Sequence, residues 1–192
     1  MQQLSDSELM ALVKDGDLSA FDELYHRYER RIRSFLFSLT WDQDTAEDYL
    51  QEVFVRLYRA RDRYESTGKF SAYLFRIAKN YYLSECRKKR AAGQQVSLSH
   101  ATSDGRAPFE NIRASEGVEP EARLMAEYRR FRIRRAIQAL PERRKLVFVM
   151  SHFQDMKYCE IAEVLSIPIG TVKSRMFAAV KTLRSLLKEE LP

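Results

Sequence analysis

The 192-residue sequence is poor in the residues that build chemistry. It has two cysteines, Cys86 and Cys159, far apart and neither in a C-x-x-C pair, so no disulfide framework or zinc module is implied. Its three histidines, His26, His100 and His152, are scattered, and no Ser/His/Asp or H-E-x-x-H arrangement occurs. No catalytic residue, metal ligand or cofactor is therefore expected. Long apolar runs are also lacking: nothing approaches the roughly 18 apolar residues needed to cross a bilayer, and "MQQLSDSELM" has no basic stretch ahead of an apolar core. The expectation is a cytoplasmic protein that is not inserted in a membrane. No alternating strand pattern lasts, which leaves an all-α fold.

What is present is charge and helical periodicity. The net charge is +6, which favours a polyanionic partner without choosing among nucleic acid, acidic lipid and acidic protein. Ser5-Asp6-Ser7-Glu8 has the form of a capping box and predicts a short helix ending near Gly16. From Asp17, Phe21, Leu24, Tyr25, Tyr28, Ile32, Phe35, Leu36 and Leu39 follow one stripe of a long helix, ending around Thr40-Trp41-Asp42. A second stripe, Ala46, Tyr49, Leu50, Val53, Phe54, Leu57 and Tyr58, starts from a cap at Asp44 or Thr45. A third holds Phe70, Tyr73, Leu74, Ile77, Ala78 and Tyr81.

Residues 91–120 are rich in Ala, Ser and Gly, show no apolar period and read as a flexible linker. Two small helical domains are expected around it, over residues 1–90 and 121–192. In the second, Leu124, Tyr128 and Phe131, then Ile133, Ile137 and Leu140, continue helical patterns up to Pro141, followed by Leu146, Val147, Met150 and Phe153.

The stretch "LSIPIGTVKSRM" breaks one helix and restarts another. Pro168 and Gly170 interrupt, Thr171 is a candidate cap, and Val172, Met176, Ala179, Val180, Leu183 and Leu187 form an inward stripe. Lys173, Ser174, Phe177, Ala178, Lys181 and Arg184 face out. Between Val164 and Lys188 stand five basic residues and no acidic one, Arg175 among them. Two helices about a tight turn, the second basic and carrying an outward Phe suited to a thymine methyl, are expected to form a helix-turn-helix whose second helix enters the DNA major groove; the alternative is an ordinary helical hairpin whose basic face is merely solvated.

Two further faces stand out. Asp48, Gln51, Glu52, Val55, Arg56 and Arg59 lie outside the second stripe, with the acidic Asp42, Asp44 and Glu47 nearby; a carboxylate-rich face around a Val repels DNA and suits a protein partner. Between Tyr64 and Arg90, aromatics and bases interleave (Tyr64, Lys69, Phe70, Tyr73, Phe75, Arg76, Lys79, Asn80, Tyr81, Tyr82, then "RKKR"), as single-strand binding requires. For Phe70, Tyr73 and Tyr81, core packing is the expected role. The residues alone leave a free-standing helix-turn-helix regulator or a helical nucleic-acid-processing enzyme as alternatives.

"YCEIAEVLSIPIGTVKSRMFAAVKTLR", with "ALPERRKLVFVM" before it, resembles the C-terminal promoter-binding region of bacterial extracytoplasmic-function (ECF) sigma factors. "GDLSAFDELYHRY", "AEDYLQEVFVRLYRA" and "FSAYLFRIAKNYYLSECRKK" are similar to successive parts of that family's first domain, in the same order. The resemblance implies a non-catalytic specificity subunit that binds RNA polymerase core at its clamp helices and flap. It also implies recognition of double-stranded and melted promoter DNA, and an anti-sigma protein as a partner. Carried over, upstream-element contact falls on Thr171, Lys173, Ser174, Arg175, Phe177 and Lys181. Downstream recognition and melting falls on the loop 63–71 with Tyr64, Lys69, Arg76, Lys79 and Asn80, and polymerase binding on Asp48, Gln51, Glu52, Val55 and Arg56. The family commonly has Trp where this chain has Tyr73, and often Arg where it has Ala178.

Overall fold

In the computed structural model, residues 4–66, 68–93 and 120–188 are described, 120–123 by their backbone alone. They are helical throughout, with no strand among the described residues: α1 Asp6–Lys14, α2 Leu18–Thr40, α3 Gln43–Arg59, a 3-10 turn Arg61–Arg63, α4 Phe70–Ala91, α5 Pro120–Gln138, α6 Glu142–His152, α7 Tyr158–Leu165 and α8 Ile169–Lys188. Two compact units follow the chain, α1–α4 in one and α5–α8, but for residues 163–166, in the other. Most of the expected linker, residues 94–119, lies outside the described residues.

Short-range chemistry sets the helix ends of the first unit. The Ser5 hydroxyl and Glu8 carboxylate satisfy each other's backbone amides at the start of α1. Asp17 caps α2, accepting from the amides of Ser19 (2.8 Å) and Ala20 (3.2 Å). Trp41 ends α2 in a left-handed conformation (φ 56°), and its turn leaves Asp42 extended, with its carboxylate on the Thr45 amide at 2.7 Å. The cap of α3 is thus Asp42 and not Asp44 or Thr45: only the residue with non-helical backbone can aim its side chain at the first-turn amides.

The core of this unit is Leu24, Ile32, Phe35, Leu36 and Leu39 from α2, Leu50, Val53 and Leu57 from α3, and Leu74, Phe75 and Ala78 from α4. Each large apolar side chain so buried contributes about 1.5–3 kcal/mol. Helix α4 differs from expectation. It packs against both α2 and α3, so Phe75 and Tyr82 are buried, with the Phe75 ring edge-on to Phe35 at 5.1 Å. Tyr73, Ile77 and Tyr81 are only half-buried.

In the second unit α8 packs on α5 and α6. Ile137, Leu140, Leu146, Val147, Val149, Met150, Val172, Met176, Ala179 and Leu183 are buried. Lys145 is buried too, its ammonium 3.2 Å from Glu142 and 3.3 Å from Gln138, as a desolvated charge requires. The expected stripe Leu124, Tyr128 and Phe131 is helical but exposed, because α5 is buried near its C-terminal end, through Ala136 and Ile137.

Candidate nucleic-acid and polymerase interfaces

Helix α7 ends at a left-handed Ser166 (φ 53°). The Ser166 amide donates to the Glu163 carbonyl at 3.2 Å and the Ile167 amide to the Ala162 carbonyl at 3.1 Å, a Schellman closure. The Pro168 carbonyl then accepts from Thr171 (2.9 Å) and Val172 (3.2 Å), so α8 starts at Ile169. Thr171 is therefore inside the first turn and does not cap it. The left-handed turn residue is Ser166, while Gly170 lies within the helix with open space where a side chain would begin.

On α8, Lys173, Ser174, Lys181 and Arg184 are exposed, and Phe177 is 73% exposed. Thr171 and Arg175 are half-buried at the edge of this face. The Ser174 hydroxyl donates to the Thr171 carbonyl at 3.1 Å. Phe177, Val180, Lys181 and Arg184 surround a concavity of about 370 Å³. Lys173, Lys181 and Arg184 have no carboxylate partner among the described residues, so their charge faces outward uncompensated.

On α3, Asp48, Gln51, Val55 and Arg56 are exposed and Glu52 half-buried, all on one side of the helix. Arg56 Nε pairs with Glu52 Oε1 at 2.8 Å, and its guanidinium stacks over Tyr81 at 4.6 Å. Beside Val55 runs an apolar groove of about 410 Å³ between α2 and α3, lined by Leu18, Phe21, Tyr25, Phe54, Val55 and Tyr58 among others. Leu18, 62% exposed, was not singled out from the sequence; its signal is the i, i+3, i+7 spacing with Phe21 and Tyr25 directly after the Asp17 cap. The acidic cluster is also less bare than its sequence suggests, since Arg33 of α2 reaches Glu47 at 2.8 Å.

From the N-cap Lys69 into α4, Lys69, Tyr73, Arg76 and Asn80 recur at spacings of four, three and four and so share one face, with Lys69 and Asn80 exposed. Two expected contact residues are not on it. Tyr64 is 4% exposed, edge-on to Phe70 (6.0 Å) and Tyr73 (5.1 Å), so its ring serves the core. Lys79 is buried off that face; desolvation, helped by the Arg76 charge, lowers its pKa. Of the loop 63–71, Thr67 lies outside the described residues.

A helix-turn-helix with a basic outer face, joined in one chain to a second helical unit with a carboxylate-rich exposed face, is the make-up of a modular DNA-binding transcription protein. Comparison with known proteins narrows this. The Sigma-70 region 2 family matches residues 24–92, and the Sigma-70 region 4 family matches residues 130–183. The ECF RNA polymerase sigma factor SigW of Bacillus subtilis is 32% identical over 177 residues, covering 92% of this chain and 94% of that protein. The ECF RNA polymerase sigma-E factor of Escherichia coli (strain K12) is 32% identical over 183 residues, covering 93% and 92%. The chain belongs to the ECF sigma factors, and it acts in promoter-specific transcription initiation by RNA polymerase.

Two solved structures share the fold. CnrH in complex with the cytosolic domain of CnrY has a TM-score of 0.68 at 22% identity, with 97% of this chain and 99% of that one covered. The sigma factor RpoE in complex with the anti-sigma factor NepR, from Bartonella quintana, has a TM-score of 0.64 at 21% identity, covering 89% and 98%.

Proposed function

We propose that the three exposed faces divide the work of initiation. The α8 face, with Lys173, Ser174, Phe177 and Lys181 at its centre and Thr171 and Arg175 at its edge, reads the upstream promoter element. Its cations hold phosphates, and Phe177 meets a base edge. The α4 face, with Lys69, Arg76 and Asn80, holds the separated strand at the downstream element, while Tyr64 shapes the loop before it. Asp48, Gln51, Glu52, Val55 and Arg56 on α3 dock on RNA polymerase core, with the apolar groove beside Val55 as the dry centre of that contact. The protein is a specificity subunit without a catalytic role of its own, working in the cytoplasm. No helix among the described residues is long and apolar enough to cross a membrane. An anti-sigma protein is proposed as a further partner, since both structural neighbours were solved with a bound protein and one of these is named as such. The domains are proposed as residues 1–90 and 121–192, joined by 91–120.

One observation carries this reading: the exposed faces of α8 and α3 have opposite character, one basic without an acid and one carboxylate-rich around Val55. A regulator that binds operators alone needs only the first. Run-off transcription from genomic fragments, with core polymerase alone and with this protein added, is the test. New transcripts that depend on both components are expected, and co-elution with core on gel filtration. Promoter binding at full strength without core, and no co-elution, would return the protein to the simple regulators.

A further inference from the structure

Helix α1 lies ahead of the residues that match region 2, which begin at 24. Nine residues are too few for a stable isolated helix, so α1 persists because it is docked. Leu9, Met10 and Val13 are buried against α2 and the 3-10 turn. Its polar side chains do something more specific. The Lys14 ammonium donates to the backbone carbonyl of Tyr64 and lies 5.9 Å from the centre of the Tyr64 ring. From the other end of the helix, the Ser7 hydroxyl accepts from the Ser66 hydroxyl at 2.9 Å. Two points on α1 thus grip two residues, 64 and 66, at the start of the loop leading into α4.

The grip closes a ring of contacts. Tyr64 is edge-on to Phe70, and Phe70 is edge-on to Tyr28 of α2 at 5.2 Å. The Tyr28 hydroxyl donates to Asp6 at 2.5 Å, and Arg27 also holds Asp6 at 3.1 Å, which returns the chain of contacts to α1. Every link but Lys14 to Tyr64 and Ser66 to Ser7 belongs to the packed body of the domain. Beside the ring contacts of Tyr64, those two polar contacts tie the start of the loop, residues 64 and 66, to α1. A loop that must accept an unpaired base binds it more tightly when its shape is set beforehand, because ordering is not charged to the capture step.

We propose that α1 is a positioning element for strand capture, with Lys14 and Ser7 holding residues 64–66 in the base-accepting shape. This rests on the reading that the α4 face and its loop hold the separated strand. Neither side chain is part of the apolar core, so Lys14→Met with Ser7→Ala removes the grip and keeps the helix. Open-complex formation on a duplex promoter is expected to fall at least tenfold, since the charge-assisted hydrogen bond of Lys14 alone is worth about that factor. A template already mismatched across the downstream element should return activity to near the parent level, core binding should be unchanged, and Lys14→Arg should retain most duplex activity.

Asn80→Ala, measured beside them, separates the two layers of the argument. If Asn80→Ala is defective on duplex DNA and the α1 variant opens it as fast as the parent, α1 has no positioning role. Equal losses on duplex and mismatched templates with a lowered melting temperature would make α1 ordinary structural support and overturn the proposal. If Asn80→Ala itself opens duplex DNA normally, the strand-capture reading fails and takes this inference with it.

Discussion

The guanidinium of Arg56 lies 4.6 Å from the centre of the Tyr81 ring while its Nε sits 2.8 Å from Glu52, so one side chain ties the outer face of α3 to α4. An exposed cation–π contact contributes about 0.5–1 kcal/mol and an exposed i,i+4 pair about 0.3–0.5 kcal/mol. Arg56→Ala should therefore destabilise the first unit by about 1 kcal/mol, a fall of roughly 4–8 °C in melting temperature for a domain of this size. Glu52→Lys should have a smaller effect on melting. Its effect on association with core polymerase should be larger, about tenfold, because a reversed charge on a docking face meets its partner's complement directly. Thermal denaturation and fluorescence titration with core measure the two. Unchanged affinity in Glu52→Lys, Gln51→Ala and Val55→Asp alike would place the docking face elsewhere.

Lys173 and Lys181 extend from α8 without a carboxylate partner among the described residues. Replacing either by Ala should weaken promoter binding and reduce the slope of log affinity against log salt by about one each. Binding titrations between low and moderate salt give the slope; the same slope in both variants would remove this face from the phosphate backbone.

Phe177 carries no charge, so Phe177→Ala should leave that salt slope alone. The loss should appear as discrimination. Exchanging the contacted thymine for uracil removes one methyl, worth about 0.8 kcal/mol or roughly fourfold in affinity. The parent should register that exchange and Phe177→Ala should not. Equal sensitivity of both proteins at every thymine of the upstream element would mean that Phe177 touches no methyl.

Asn80 is exposed on the α4 face that also holds Lys69 and Arg76. Taking a base out of the duplex costs a few kcal/mol, and stacking returns about 1–3 kcal/mol per base. Asn80→Ala should therefore bind core normally, fail on a duplex promoter and recover much activity on a mismatched template. Permanganate reactivity of unpaired thymines reports the opening.

The Ser5 hydroxyl and amide hold the Glu8 carboxyl below the usual carboxylate range. A lowered folded-state pKa means that the capping contribution is fully present above the unfolded value of about 4.3 and is lost as pH falls through the folded one. Ser5→Ala should fray α1 by about 1 kcal/mol at neutral pH. Hydrogen exchange at Leu9 and Met10 should quicken in the variant, and the difference from the parent should shrink in acid.

Helix number, most helix ends and the character of the α8 face were legible in the amino-acid order alone, because capping and 3.6-residue periodicity act over a few residues. Asp17, the Ser5–Glu8 box and the stripe Val172, Met176, Ala179 and Leu183 needed no knowledge of distant chain. The turn before α8 was half legible: its place was plain, but Ser166 and not Gly170 takes the left-handed conformation, since Pro168 starts the next helix early. Where apolar and aromatic residues surround a helix, periodicity names several faces and only the neighbours choose. Thus α4, wedged against α2 and α3, buries Phe75 and Tyr82 in preference to Tyr81, and the outer end of α5 leaves Leu124, Tyr128 and Phe131 exposed. The groove between Leu18 and Val55 and the reach of Lys14 to Tyr64 join residues tens of positions apart. Such pairings depend on how helices cross, which is set by the packing of the whole core and is written in no single segment.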